Sequence, residues 1–297
     1  MFTILTAFKP FQGAANTHQW NALRSWIRAC GNPEILVFSE VPGLPEVAAE
    51  LGLTVVPDFP RGDDGRIRVD EAFRYAQKFG KYDRQFFING DIIIMEDFAL
   101  AFAAVHLPKF MMIGQRTDVD VEYQIDFSNE GAVEAARADL NQRGVLHLAW
   151  GLDYFAYTRG SIPDDLPPLY VGAAGWDNLM IFWCRRHGIP VVDATEDVKI
   201  FHENHENFGM RECSSAKNNL AVGSAIDKTW LFDATDASHW LSDGMLRTAA
   251  ESRLRLARNI STLPIRRNWP ESTRRPFRAV AKITRYIGAL TALPSNP

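Results

Sequence analysis

The sequence predicts an α/β fold in three layers, and three observations carry that expectation. Short runs rich in β-branched and aromatic residues recur at 2–7, 34–38 (EILVF), 53–56, 85–88 and 110–114. Segments with helical apolar spacing separate them. The composition, 46% hydrophobic and 23% charged over 297 residues, is that of a globular chain with ample apolar material for a core. Strands alternating with helices in this way indicate a parallel sheet with helices on both faces.

The elements follow in order. Residues 2–7 read as the first strand; the segment is apolar but lacks the positive start and small-residue cleavage site of a signal peptide. Trp20, Leu23, Trp26 and Ile27 mark a helix over 17–30. The second strand is followed by a short helix at 46–51, the third strand, and a loop rich in Pro, Gly and Asp at 57–69. A helix over 70–79 leads into the fourth strand, and another near 96–105 into the fifth. Beyond it, 146–150 and 154–158 read as short strands flanking Gly151-Leu152-Asp153. Trp176, Met180, Trp183 and His187 mark a helix over 176–187, with strands at 189–192 and 198–201. The signal weakens between 206 and 250.

Three motifs carry chemistry. Asn89-Gly90-Asp91 ends the fourth strand, where ligands of open α/β sheets bind. Asn-Gly is also a strong turn signal. Its other reading is a metal–diphosphate site, since a hard divalent cation takes carboxylate oxygens and shares its shell with phosphates, and glycine lets the backbone approach a bulky ligand. Gly175-Trp176-Asp177-Asn178 reads as a helix start or as a carboxylate base facing the same crevice. The helix dipole would then lower the pKa of Asp177 and keep it ionised. His202 and His205 follow a late strand and read as polar loop residues or as metal ligands. Thr6, Lys9 and Glu40, at the ends of the first two strands, border the crevice. Arg116 could pair with phosphate or with Asp91. Asp118 and Asp120 read as a solvated loop pair. Asp153 could meet a sugar hydroxyl or serve a turn. No Walker A loop, dinucleotide fingerprint or serine nucleophile elbow is present.

Together these motifs resemble those of the GT-A fold nucleotide-sugar glycosyltransferases. Asn89-Gly90-Asp91 is similar to their Asp-x-Asp motif with the first acid replaced. Gly175-Trp176-Asp177-Asn178 is similar to the acidic motif that supplies the base in inverting members, and the His202/His205 segment to the histidine that completes the metal shell. The order along the chain agrees over residues 1–205. The resemblance implies a three-layer α/β/α GT-A-like mixed sheet and an Mn²⁺ or Mg²⁺ held by Asp91, His202 and His205. It implies Asp177 as catalytic base, and Thr6, Lys9, Glu40, Asn89, Asp91 and Arg116 on a nucleotide-sugar donor. Asp153, Trp176 and Asn178 would meet a hydroxyl acceptor on a glycan, lipopolysaccharide or lipid-linked sugar, as in polysaccharide biosynthesis. The alternatives are a sugar-nucleotide nucleotidyltransferase, which wants a Gly-rich basic loop after the first strand, and a non-catalytic sugar-binding module, which Asn89 motivates.

The domain is expected over 1–245, followed by a basic, largely helical extension over 246–297. Residues 251–297 hold ten basic and two acidic residues, a net +8 within a chain of net charge −4. The overall charge argues against nucleic acid as a partner. The tail reads as surface helices packed on an acidic domain or as a peripheral contact with an anionic membrane face. Three widely spaced cysteines give no disulfide framework, and no run of 18 apolar residues is present, so the expected location is cytoplasmic.

Overall fold

The structure, a computed structural model, describes residues 1–204 and 212–249, with 277 and 283 besides. The first half runs β1 (Thr3–Thr6), α1 (Gly13–Cys30), β2 (Glu34–Val37), α2 (Leu44–Leu51), β3 (Thr54–Val55), α3 (Val69–Phe79), β4 (Arg84–Ile88), β5 (Ile92–Ile93), α4 (Asp97–Ala104) and β6 (Met111–Ile113). The second continues with β7 (Arg116–Val119), α5 (Glu130–Arg143), β8 (Val145–Leu146), β9 (Tyr154–Thr158), α6 (Trp176–Arg186), β10 (Val191–Asp193), β11 (Ile200–Glu203) and α7 (Ser214–Ile226). A 3-10 turn (Ala234–Asp236) and the hairpin β12 (His239–Ser242) to β13 (Met245–Thr248) close the described chain.

Nine strands form one sheet in the order β13-β12-β10-β6-β9-β4-β1-β2-β3. The neighbours of β1 are parallel to it, as the alternation predicts. β9 is not: it lies antiparallel between β4 and β6 and makes the sheet mixed. Alternation along β4 places Phe87 in one core and Phe86 and Ile88 in the other. The Phe87 side carries Phe73 of α3 and Trp176, Met180 and Phe182 of α6. The opposite side carries Leu23 and Trp26 of α1, Val47 of α2 and Phe98 and Phe102 of α4. The sandwich is therefore helix, sheet, helix. Phe87 is fully buried between Phe73 and Trp176, whose ring meets it edge-on at 5.2 Å.

A second, four-stranded sheet has the order β5-β11-β7-β8. One side of it packs Ile93, Val119 and Phe201 against Val133, Ala136 and Leu140 of α5. β13 pairs with β12 and carries the large sheet to Thr248, past residue 245. Apart from residues 277 and 283, the tail from 250 on lies outside the described residues, and with it the expected helical extension.

Candidate active site

β4 delivers the first motif. After Ile88 the chain turns, with Ile92 N donating to Asn89 O at 3.3 Å. Gly90 passes so close to the loop after β1 that a Cβ there would lie 2.7 Å from the Phe8 ring and 2.9 Å from Ala7 O. Glycine is needed here, but for contact with the protein's own backbone rather than with a ligand. Asn89 is engaged within the protein. Its Nδ2 donates to Asp153 Oδ1 at 2.5 Å, and its backbone N donates to Asp153 O at 3.0 Å. Asp91, nearly buried, forms an ion pair with Lys9 at 3.3 Å. The Lys9 backbone is in turn gripped by Gln19 of α1 from both sides, at 2.7 and 3.0 Å.

The small sheet delivers the rest. Its registers set His202 opposite Ile92, the residue after Asp91, and opposite Asp118 on the other flank. Arg116 and Asp118 lie two apart on β7 and share a face. Arg116 donates to Asp118 Oδ1 at 2.8 Å and to Asp153 Oδ2 at 3.1 Å. Asp118 also takes His147 Nδ1 at 2.5 Å and stands 3.3 Å from His202 Nδ1. Burial alone would raise the Asp118 carboxyl, but the two histidines and Arg116 together hold it well below the usual carboxylate range. Burial works against a charge on His202, yet Asp118, Asp153 and Asp91 outweigh it and raise its pKa. Asp118 is thus a hub and not a solvated loop residue, and Arg116 pairs with Asp153 and Asp118 rather than with Asp91.

Asp177 enters from the opposite face. Gly175 caps α6 at φ +94, and a Cβ on it would come 2.6 Å from Trp230. The left-handed turn admits glycine and starts α6 with Asp177 in its first turn. Burial pushes the Asp177 carboxyl up to about 7; backbone N–H groups at the helix start oppose the shift, and the Asp153 charge adds to it. The expected lowering by the helix dipole is overturned, because loss of water outweighs the dipole. Asp153 therefore joins the two groups: it raises His202 and Asp177 alike and holds Arg116 and Asn89.

The other expected residues fall elsewhere. Thr6 is fully buried and donates to Ile88 O at 2.8 Å, so it braces the sheet and does not face a donor. Trp176 is buried against Phe87 and Phe155, which removes it from an acceptor surface. Asn178 donates to Phe232 O at 2.6 Å. Glu40 is exposed and accepts from Asp58 N at 3.0 Å. His205 lies outside the described residues. His147 was not among the expected site residues; it stands in the 146–150 run, which reads as a short strand in the sequence, whereas β8 ends at Leu146.

No family model matches the sequence, and no curated protein matches it. Solved structures do. The chain is similar to GalNAc-T7 with UDP, GalNAc and Mn²⁺, at 12% identity over 77% of this chain and 48% of that one, with a TM-score of 0.48. It thus spans about half of that chain. It is similar to S. aureus TarS 1-349 in complex with UDP-GlcNAc, at 10% identity over 76% and 66% of the two chains, with a TM-score of 0.42. A third is glucosyl-3-phosphoglycerate synthase from Mycobacterium tuberculosis in complex with Mn²⁺, UDP and phosphoglyceric acid, at 18% identity over 74% and 76%, with a TM-score of 0.41. The architecture is of the three-layer α/β class the sequence predicts, a mixed sheet between two helical layers. At these identities and TM-scores no residue role and no activity is carried across.

Among the described residues no group of three or more His, Cys, Asp or Glu is placed to hold a metal ion. Asp91 precedes Ile92, the register partner of His202, and its charge reaches the His202 imidazole, so the two offer one carboxylate and one imidazole. Two donors suit an ion that draws its remaining ligands from phosphate and water, not a closed protein cage.

Proposed function

We propose that this protein is a glycosyltransferase that moves a sugar from a nucleotide-diphospho-sugar to a hydroxyl acceptor by single, inverting displacement. The observation that carries the reading is Asp153, which accepts from Arg116 and Asn89 and whose charge reaches Asp177 at the start of α6 and His202 on β11. A general base works best when its pKa lies near the operating pH. Asp177 then takes the acceptor hydroxyl proton on its carboxylate as the acceptor oxygen bonds to the anomeric carbon. The bond from that carbon to the diphosphate oxygen breaks, and its electron pair leaves with the diphosphate. Arg116 and Lys9 supply positive charge where that negative charge develops. A divalent ion, Mn²⁺ or Mg²⁺, would be held by Asp91 and His202, with His205 as a further candidate ligand, and would neutralise the leaving diphosphate.

Asn89 supports catalysis through Asp153 in this reading, so its amide does not favour the non-catalytic module. The test is nucleotide release from a panel of nucleotide-sugars with Mn²⁺ present. Slow hydrolysis of one donor is expected; binding of a donor without turnover in any acceptor mixture would instead favour a sugar-binding module. The basic tail is read as a peripheral membrane contact on the cytoplasmic side, where a lipid-linked acceptor would lie. Flotation with anionic liposomes at low salt tests it, and absence of binding removes it. No helix among the described residues is long and apolar enough to cross a membrane.

A further inference from the structure

With Trp176 buried, the acceptor side of the crevice lacks the aromatic surface that a sugar ring would need, and the turn before Asp153 offers one. Trp150 is 49% exposed, although its neighbours are tightly held. His147 N donates to Arg116 O at 2.9 Å, and Gln115 Nε2 donates to His147 O at 2.7 Å. Gly151 N donates to Leu148 O at 2.8 Å, and Ala234 N to Ala149 O at 3.0 Å. A half-exposed indole therefore stands on a turn whose backbone is held on both sides.

Its surroundings point to the ligand. The His147 ring stands edge-on to Trp150 at 6.4 Å. Asp118 holds His147 by Nδ1, so Nε2 is the remaining polar atom of a ring that is 27% exposed. Trp150 and Asp153 are three positions apart, a reach of at most about 11 Å. The 232–234 segment ties both sides together: Phe232 O takes Asn178, next to Asp177, and Ala234 holds Ala149, next to Trp150. An indole face with a fixed imidazole at its edge fits a pyranose, whose C–H face is apolar and whose rim is hydroxyl.

We infer that Trp150 and His147 form a pyranose-binding subsite, Trp150 stacking on the ring and His147 Nε2 engaging a hydroxyl, and that the acceptor of this protein is a saccharide at that position. The word acceptor rests on the transfer reading above; pyranose binding does not. Saturation-transfer NMR on the full chain tests it, with methyl glycosides of glucose, galactose and mannose in both anomeric forms as probes and uridine as control. Ring C–H protons of at least one methyl glycoside take up saturation in the wild type. Trp150→Ala weakens that binding about tenfold, the scale of one aromatic contact, whereas Trp150→Phe keeps most of it. Uptake by no methyl glycoside, or equal uptake in Trp150→Ala, overturns the subsite. So does uptake by uridine in place of the glycosides, or self-association of the chain that Trp150→Ala abolishes without any glycoside effect. Trp150-dependent glycoside binding in a protein that hydrolyses no nucleotide-sugar would leave the subsite standing and sink the transfer reading instead.

Discussion

The two sheets of this protein are built on opposite terms. The nine-stranded sheet is apolar on both faces, with Phe86, Phe87 and Ile88 all fully buried in one strand. The four-stranded sheet packs Ile93, Val119 and Phe201 toward α5; on its other side, beside the buried Ile92 and Ile200, it sets Arg116, Asp118 and His202 in one charged group. The first holds position by packing, the second by paired charge. Substitutions in the large sheet should therefore change stability, and substitutions around the small sheet should change chemistry and its pH dependence.

The largest effect should separate the two. Asp177→Asn removes the base while preserving shape, and turnover should fall by roughly 10²–10⁴ with donor binding intact, measured by single-turnover kinetics and calorimetry. Near-normal turnover would take Asp177 out of the mechanism. Phe87→Ala should act in the opposite manner, lowering stability by about 3–5 kcal/mol in denaturant titration, because Phe73 and Trp176 cannot close the cavity. Asn89→Asp would set a carboxylate where the amide now donates to Asp153. Loss of that bond and like-charge repulsion should cost about 1–3 kcal/mol. Thr6→Val should have the smallest effect. It leaves Ile88 O without its side-chain donor, costing about 1 kcal/mol, and leaves donor affinity unchanged. A lost donor site in that variant would return Thr6 to the crevice.

The pH dependence sharpens the same contrast. The folded Asp177 pKa, about 7, lies above that of an unfolded aspartate, near 3.9. The native state binds the extra proton, so this group's contribution to stability is full below about pH 4 and is lost as pH rises toward 7. Asp177→Asn should flatten that slope in thermal denaturation followed from pH 4 to 7. Asp118 has the opposite sign: its folded pKa is depressed, so its contribution holds at neutral pH and is lost only on strong acidification.

The scaffold was legible in the sequence wherever apolar periodicity ran long enough. The helix at 17–30 is observed as Gly13–Cys30, and the 85–88 run as Arg84–Ile88. The chain order of Asp91, Asp177 and His202 was legible too, because each stands at the end of an element. The small sheet was not. β7 reads Arg-Thr-Asp-Val, where one apolar residue in four gives no alternation, and β5 and β8 are two residues long. α5 (Glu130–Arg143) buries only Val133, Ala136 and Leu140, a stripe too thin to stand out among its charges. Asp118 looked like a loop acid because its partners, His147 and His202, lie 29 and 84 positions away. The pKa of Asp177 was misjudged for a related reason: the helix start is visible in the sequence, but the burial that outweighs its dipole is a tertiary property.

The central claim is that Asp91 and Asp177 serve one donor in one crevice with different tasks. Calorimetry of the nucleotide-sugar that the panel selects, with Mn²⁺ present, separates them in a single experiment. The heat of donor binding should vanish in Asp91→Ala and persist in Asp177→Asn. Donor binding in Asp91→Ala equal to that of the wild type would contradict the claim.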